Sequence, residues 1–290
     1  MRRLGIVSKG GGADLAAALE RFTSWAEARG VELLADQDTL DFAGDRLGLM
    51  EPELPVDLIV ALGGDGTLLR AARLRAGENV PVLGLNLGQL GFLTAAGGDE
   101  LETSLDRVLA GDYALDRRLT LEATIERADG QQRRRFLALN DFVIHKQGVA
   151  RVTRLDLAVG RGPAIDEVGS FSGDGVILST PTGSTAYNLS AGGPIIVPDL
   201  DCIVVTPIAP HTLALRPLVI PADDVVRVRP LDRIEELVLT VDGQMSVGLD
   251  VGDTVMVGRG PVTVPLVRFP DQTFFWTLRR KLHWAVPPSH

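Results

Sequence analysis

The segment Gly63-Gly64-Asp65-Gly66-Thr67, called the glycine loop below, combines residue types that suit phosphate chemistry. It follows an apolar run at 56–62 and precedes a stretch with helical spacing at about 68–75. Glycines at a strand-to-helix junction let the backbone approach a ligand closely, and N–H groups at a helix N-terminus attract anions. We therefore interpret four of its residues as a phosphate-binding site: Gly63, Gly64, Gly66 and Thr67.

Asp65 is the unusual member of the glycine loop, because a bare carboxylate would repel a phosphate. Its presence makes sense if the side chain accepts a proton from an attacking hydroxyl, or contacts a sugar or a metal beside the phosphates. The alternative is a tight turn in which Asp65 caps the following helix. Spacing alone does not separate these two interpretations.

A second group of small, hydroxylated residues lies mostly within the stretch 175–198, which contains no charged residue. The group comprises 172–175, 180–187 and 190–194. It suits a closely fitted polar ligand such as a nucleoside, since Tyr187 could stack on a base while Thr185 and Ser190 bond its edge. The alternative is a Gly/Pro-rich loop between the strands of a sandwich.

Two further polar features interrupt or follow apolar runs. Asn140-Asp141 divides an apolar strand pattern, and a buried carboxylate is unfavourable unless a partner such as a ribose hydroxyl pairs with it. The alternative at this position is a local bulge or a sheet edge. The segment Asn86–Leu93 follows a predicted strand, where a doubly wound sheet places a ligand-facing loop.

The predicted elements that must position these residues are of different types before and after residue 116. Before it, apolar runs of the buried-strand type alternate with helical spacing. The predicted strands are at 4–8, 31–35, 56–62 and 80–85, and the predicted helices are at about 14–29, 68–75 and 99–109. This order predicts a doubly wound α/β domain over residues 1–116, with ligands at the carboxyl ends of its strands.

After residue 116 the apolar period changes from 3.6 to 2, and Asp129-Gly130 marks a hairpin turn. No stretch between 116 and 270 has the spacing of a long amphipathic helix. We therefore expect two packed sheets, forming a β-sandwich domain over residues 117–271. Helical spacing returns over 272–290, where a helix could pack back on the α/β domain.

Composition and charge exclude several classes of protein. The 290 residues are 45% apolar and 23% charged, which is the balance of a soluble protein with room for two cores. A formal charge of −9 and the short basic run Arg133–Arg135 argue against nucleic-acid binding, and we interpret Arg117-Arg118 as a solvated strand face. No stretch suits a signal peptide or a membrane span. Since Cys202 is the single cysteine, we expect a cytoplasmic protein without a membrane partner.

Taken in chain order, these motifs resemble those of the NAD kinase family in its bacterial form. The matching segments are the glycine loop, Asn86–Leu93, Asn140-Asp141, Asp174-Gly175 with Thr180–Tyr187, and Pro210–Leu213 with Arg216–Leu218. The glycine-aspartate motif alone is shared with phosphofructokinases and diacylglycerol-type lipid kinases. The run Thr180–Tyr187 is far more specific, and the resemblance spans most of the chain.

The resemblance implies an enzyme that transfers the γ-phosphoryl group of ATP to the 2′-hydroxyl of the adenosine ribose of NAD, giving NADP and ADP. It also implies an α/β domain followed by a β-sandwich domain that binds NAD, and assembly as a homodimer or homotetramer. The implied cofactor is a divalent cation, Mg²⁺, that no dedicated cage of protein ligands holds. Whether polyphosphate can replace ATP stays open.

By matching motif positions, the resemblance makes Asp65 the proton acceptor and the glycine loop the site of the phosphate donor. The residues that it implies contact NAD are Asp65, Gly66, Asn140, Asp141, Arg151, Asp174, Thr182, Thr185, Ala186, Tyr187, Asn188, Leu189, Ser190 and Gln244. The chain departs from the family pattern twice. The family often has glutamate in place of Asp141, and many bacterial members have a basic or bulky residue in place of Ser172.

Two other functions compete with this one. A lipid or sugar kinase could share the glycine loop, but the uncharged stretch 180–194 is too polar for a lipid and lacks the basic residues that a sugar phosphate needs. A regulator could bind NAD or NADP without turnover, although the retained Asp65 argues against that function.

Overall fold

The computed structural model describes residues 1–44, 46–88, 91–128, 130, 133–147, 152–162, 164–212, 214–232 and 237–283. Several features of the sequence analysis lie outside these residues, namely Arg151, Asp129 of the predicted turn, 89–90 of the segment after the fourth predicted strand, and 284–290. The chain divides into two compact units. The first is Met1–Arg117 with Val264–His290, and the second is Arg118–Thr263.

The helices and strands follow one another along the chain in this way. The described helices are α1 Ala13–Glu27, α2 Gln37–Ala43, α3 Asp65–Leu74, α4 Leu101–Leu109, α5 Tyr187–Ser190 and α6 Phe274–Leu282, with 3-10 turns at Gly98–Glu100 and Thr182–Thr185. The described strands are β1 Arg3–Ser8, β2 Glu32–Ala35, β3 Gly48–Leu49, β4 Leu58–Leu62, β5 Val82–Asn86, β6 Ala96–Gly97, β7 Ala114–Glu126, β8 Arg133–Ala138, β9 Asp141–Lys146, β10 Thr153–Arg161, β11 Ala164–Gly173, β12 Gly175–Ser179, β13 Cys202–Ile208, β14 Leu218–Pro221, β15 Val225–Pro230, β16 Leu237–Val241, β17 Met245–Gly248 and β18 Thr254–Arg268.

The first unit is built on a parallel sheet with the order β5-β4-β1-β2-β3. From β1 the chain first continues to β2 on one side and later returns to β4 on the other side. The strand order therefore reverses at β1, and open α/β sheets bind ligands at such a point. Alternate residues of β4 point to opposite faces of the sheet. Leu58, Val60 and Leu62 join the core formed with α1 and α4, whereas Ile59 and Ala61 are buried outside that core. Helices therefore cover both faces, as the α/β prediction requires.

The segment 264–271 folds with the first unit, whereas the sequence analysis placed it with the sandwich. Leu266, near the end of β18, pairs in parallel with Val82 of β5. Arg268 donates hydrogen bonds to two carbonyls of that unit, those of Phe92 and Thr94. Strand periodicity alone could not reveal this change of partner, because β18 is one continuous strand whose first residues belong to the second unit.

The second unit is a β-sandwich. One sheet is antiparallel throughout, with the order β14-β13-β12-β9-β16-β17. The other contains β11, β10, β15 and the first part of β18, with β7 and β8 paired beside them. Leu155 and Val226 from one sheet share a core with Ile144 and Leu178 from the other. The predicted fold, an α/β domain followed by a β-sandwich, is confirmed.

Among the helices of the described residues, none is both long enough and apolar enough to cross a lipid bilayer.

Candidate active site

The glycine loop connects the end of β4 to the start of α3. Gly63 has a φ of +149°, and a Cβ there would lie 2.5 Å from Thr67 Oγ1. Its N–H donates to the Leu85 carbonyl at 2.9 Å, and the Thr67 N–H donates to the Gly64 carbonyl at 3.0 Å. These two amides are therefore committed to the fold. The N-terminal end of α3 carries the positive end of the helix dipole, which suits an anion.

Asp65 is the first residue of α3 and is partly buried. Its Oδ2 accepts a hydrogen bond from the Phe92 N–H at 2.8 Å, and its Oδ1 accepts one from the Leu93 N–H at 3.0 Å. The carboxylate therefore bonds the segment that follows β5 rather than the first turn of its own helix. The alternative interpretation of Asp65 as a helix cap is wrong.

The second unit contains a cleft of about 360 Å³. It opens between the start of β9, the start of α5 and the turn after β16. Its lining consists of Asn140, Asp141, Val143, His145, Ala186, Tyr187, Thr240, Asp242 and Gly243. Because β9 lies between β12 and β16, Asn140-Asp141 is at the start of an interior strand, and the edge interpretation is wrong.

Asn140 is buried, and its Oδ1 has no hydrogen-bond partner among the residues that the structure describes. A buried amide oxygen without a partner is unfavourable and is uncommon in folded proteins. Because Asn140 lines the cleft, a ligand with a hydroxyl or amine donor could supply the missing hydrogen bond. That Asn140 holds a sugar stays a prediction.

Asp141 is also buried, and its pKa is raised from the usual value to about 7. Burial is the larger cause, and the negative charge of Asp242 is the second. At neutral pH the Asp141 carboxyl can therefore either donate or accept a hydrogen bond toward the cleft. His145 is the basic side chain of the lining, and its Nε2 lies 2.9 Å from Thr240 Oγ1.

Asp242 organises the backbone beneath Asn140 and Asp141, and the sequence analysis did not select it. Its Oδ1 accepts from the Asn140 N–H at 2.7 Å and from the Asp141 N–H at 3.2 Å, while its Oδ2 accepts from the Leu139 N–H at 3.2 Å. Asp242 and Gly243 both have positive φ, at 48° and 64°. In the sequence, Asp242-Gly243 is an Asp-Gly pair between two strands, which indicates a hairpin turn. The pair gives no sign that the carboxylate also accepts hydrogen bonds from the backbone of 139–141.

Asn188 holds the segment 180–194 in place by hydrogen bonds and does not line the cleft. It is fully buried, and its Nδ2 donates to the Ser184 and Pro194 carbonyls, both at 3.0 Å. Its Oδ1 accepts from Thr206 Oγ1 at 2.6 Å. The side chain is thus committed to the fold, and a contact of Asn188 with NAD stays a prediction.

Thr182 is likewise held inside the second unit. It is buried, and its Oγ1 accepts a hydrogen bond from Arg118 Nη1 at 3.2 Å. Arg118 itself is only 4% exposed. The prediction of a solvated face at Arg117-Arg118 is therefore wrong for Arg118, whose side chain supports the 3-10 turn that precedes α5. Arg117 is exposed, as predicted.

The remaining predicted residues of the second unit divide into two groups. Ala186 and Tyr187 line the cleft beside Asn140 and Asp141, and the Tyr187 ring is about half exposed. The others do not line it, namely Asp174, Thr185, Leu189, Ser190 and Gln244. Asp174 forms an ion pair with Lys146 at 3.2 Å, and Thr185 Oγ1 donates to the Thr182 carbonyl at 3.3 Å. Asp65 and the glycine loop belong to the first unit, whereas the cleft belongs to the second.

Comparisons with known proteins identify a family and several relatives. The family profile described as the ATP-NAD kinase N-terminal domain matches residues 5–113, and that described as the ATP-NAD kinase C-terminal domain matches residues 139–269. The chain is 46% identical over 285 residues to the NAD kinase of Gemmatimonas aurantiaca, a match that covers 98% of this chain and 96% of the relative. It is 42% identical over 288 residues to that of Syntrophotalea carbinolica, covering 98% and 99%.

Two solved structures have the same fold. Yeast NADH kinase complexed with NADH matches with a TM-score of 0.89 at 26% identity, covering 100% of this chain and 90% of that chain. An NAD kinase from Archaeoglobus fulgidus in complex with ATP matches with a TM-score of 0.72 at 26% identity, covering 97% and 98%.

Proposed function

Because this chain belongs to the ATP-NAD kinase family, we propose that it transfers the γ-phosphoryl group of ATP to the 2′-hydroxyl of the adenosine ribose of NAD, with Asp65 as general base. The products are NADP and ADP. One observation supports the role of Asp65 above the others. Its carboxylate, in the middle of the glycine loop, accepts hydrogen bonds from two backbone N–H groups, those of Phe92 and Leu93.

Asp65 has the acceptor capacity that a general base needs. Each carboxylate oxygen accepts one N–H and offers about two acceptor sites, so each oxygen retains one for a hydroxyl proton. As the ribose oxygen attacks the γ-phosphorus, Asp65 takes its proton and the bond from phosphorus to the ADP oxygen breaks. The positive end of α3 stabilises the transferring phosphate.

The cleft of the second unit supplies the acceptor's binding site. The Asn140 amide oxygen accepts a hydrogen bond from a ribose hydroxyl and thereby gains the partner that the protein does not provide. Asp141 bonds a neighbouring hydroxyl, and Tyr187 offers an exposed ring on which a base can stack. Asp141 is one methylene shorter than the glutamate that the family often has, so we expect a water between its carboxyl and the sugar.

We propose that the divalent cation arrives with ATP. Within the described residues, no group of three or more His, Cys, Asp or Glu side chains is arranged to hold a metal ion. In nucleotide sites Mg²⁺ binds mainly substrate phosphates and water, so the protein need not supply a full set of ligands. When bound, the cation neutralises charge on the phosphates.

One assay tests the proposed function against its competitors. Purified protein is incubated with ATP, Mg²⁺ and NAD, and NADP formation is followed with a coupled dehydrogenase. NAD binding without product would indicate a sensor, and product from a lipid or a sugar alone would indicate the other kinase classes. Replacing ATP by polyphosphate in the same assay identifies the donor.

The family relationship also supports assembly as a homodimer or homotetramer in the cytoplasm. The buried thiol of Cys202, the single cysteine, suits a reducing compartment. Light scattering at micromolar concentration tests the assembly, and a monomer with full activity would contradict it.

A further inference from the structure

The segment Gly91–Thr94, called the clamp below, holds the Asp65 carboxylate. Two consecutive amides, those of Phe92 and Leu93, donate to its two oxygens at 2.8 and 3.0 Å. The Gly91 N–H donates to Thr94 Oγ1 at 2.9 Å and closes the clamp on itself. Because both oxygens are fixed, the plane of the carboxylate is fixed as well.

Arg268 holds the clamp from its other side. Its Nη2 donates to the Phe92 carbonyl at 3.1 Å and its Nη1 to the Thr94 carbonyl at 3.3 Å. The side chain is only 14% exposed, and its Nε lies 3.7 Å from Asp116 Oδ2. The guanidinium is therefore anchored at the end of β18, on a different part of the chain from α3.

The Phe92–Leu93 peptide bond joins Arg268 to Asp65. The Phe92 carbonyl accepts from Arg268, and the Leu93 N–H of the same planar peptide donates to Asp65 Oδ1. A cation on the carbonyl oxygen polarises the peptide and strengthens the hydrogen bond that its N–H donates. Arg268 thus acts on Asp65 through one peptide unit without touching it.

Gly91 leaves the space into which the carboxylate fits. A Cβ on Gly91 would lie 1.9 Å from Asp65 Oδ1 and 2.5 Å from its Cγ. Gly91 is not among the glycines with positive φ, so alanine would conflict with the carboxylate rather than with the backbone. Substitution at Gly91 is therefore a direct way to displace the Asp65 oxygens.

We propose that Arg268 and Gly91 are positioning residues for phosphoryl transfer, which orient the Asp65 carboxylate through the clamp. The proposal rests on the proposed function, in which Asp65 is the base. A displacement of about 1 Å in a reacting group can lower the rate by about 100-fold while substrate binding changes little. The clamp should therefore control kcat rather than the KM for NAD.

The test compares Gly91→Ala, Arg268→Met and Arg268→Lys with the wild-type protein under saturating ATP and Mg²⁺. We expect Gly91→Ala to lower kcat by about 10- to 100-fold and Arg268→Met by about 10-fold, with the KM for NAD within about threefold. Arg268→Lys should recover part of the loss, since an ammonium group can still donate to a carbonyl. The active fraction of each variant is measured by the stoichiometry of NAD binding, so that partial unfolding is not counted as lost turnover.

Two controls match these variants. Arg259→Met removes an arginine from the same strand, where it pairs with Asp201 and Asp223 at the surface. Gly248→Ala adds a methyl group where nothing lies within 4 Å. Both should retain wild-type kcat.

A double-mutant cycle separates positioning from a general structural effect. If Gly91 acts through Asp65, Gly91→Ala should lower the residual rate of Asp65→Asn by less than about twofold. An equal loss in both backgrounds, or wild-type kcat in both Gly91→Ala and Arg268→Met, would overturn the proposal. A wild-type protein that makes no NADP would instead overturn the proposed function and, with it, the role of the clamp.

Discussion

At the scale of single residues, the cleft of the second unit places two carboxyl groups in contrasting surroundings. Asp242 accepts three backbone N–H groups, which stabilise its negative charge. Asp141 is buried beside that charge, and burial and repulsion together raise its pKa to about 7. Asp141 is therefore the member of the pair that takes a proton near neutral pH, and it does so where a sugar hydroxyl would bind.

This raised pKa predicts how stability depends on pH. Folded Asp141 keeps its proton up to about pH 7, whereas in the unfolded chain it loses the proton near pH 4. The folded state thus binds the extra proton between these values, so the contribution of Asp141 to stability falls as pH rises from about 4 to 7. Asp141→Asn removes this dependence and should be more stable than the wild type above pH 7, by up to about 4 kcal/mol.

Urea unfolding of both proteins at pH 5 and pH 8 measures the effect. The difference in unfolding free energy between variant and wild type should grow with pH, and any contribution from His145 cancels because both proteins contain it. A difference that is the same at both pH values would mean that Asp141 is ionised in the folded protein throughout.

At the scale of elements, the segment 180–194 around α5 has some residues that line the cleft and others that are buried inside the unit. Ala186 and Tyr187 line the cleft, whereas Asn188 joins α5 to Pro194 and to Thr206 of β13. Sequence spacing shows that such a segment is polar but does not show which of its residues face inward.

Asn188→Ala tests the internal side. It removes the partner of two carbonyls and of the buried Thr206 hydroxyl, which should lower the unfolding free energy by about 2–4 kcal/mol. Ser190→Ala, on the exposed side of the same helix, should change it by less than about 0.5 kcal/mol. Denaturant titration measures the unfolding free energy of both variants. Equal effects would contradict the role of Asn188 in holding this segment to the fold.

Much of the fold could be predicted at this scale, because buried apolar runs such as Leu58–Leu62 and the change of period near residue 116 are local signals. Asn140 and Asp141 were also predictable, since polar residues inside an apolar run are conspicuous. Arg268, Arg118 and Asp242 were not, because each acts through contacts with residues far away in the chain. Their own neighbourhoods in the sequence look like ordinary strand ends and turns.

At the scale of the whole molecule, each compact unit carries one part of the proposed reaction. The α/β unit holds the glycine loop, Asp65 and its clamp, and the sandwich holds the cleft with Asn140 and Asp141. Because the chain returns to the first unit through β18, Arg268 reaches the clamp only after the whole sandwich has been traversed. Under the proposed function, the first unit carries the proton acceptor and the second recognises the sugar.

Asp65→Asn tests the central claim most directly. Turnover of NAD with saturating ATP and Mg²⁺ is measured together with the dissociation constant of NAD and the thermal unfolding midpoint. The account predicts that kcat falls by about 10² to 10⁴, the usual contribution of a general base, while NAD affinity stays within about threefold and the protein remains folded. A folded variant that retains more than about a tenth of wild-type kcat would contradict it.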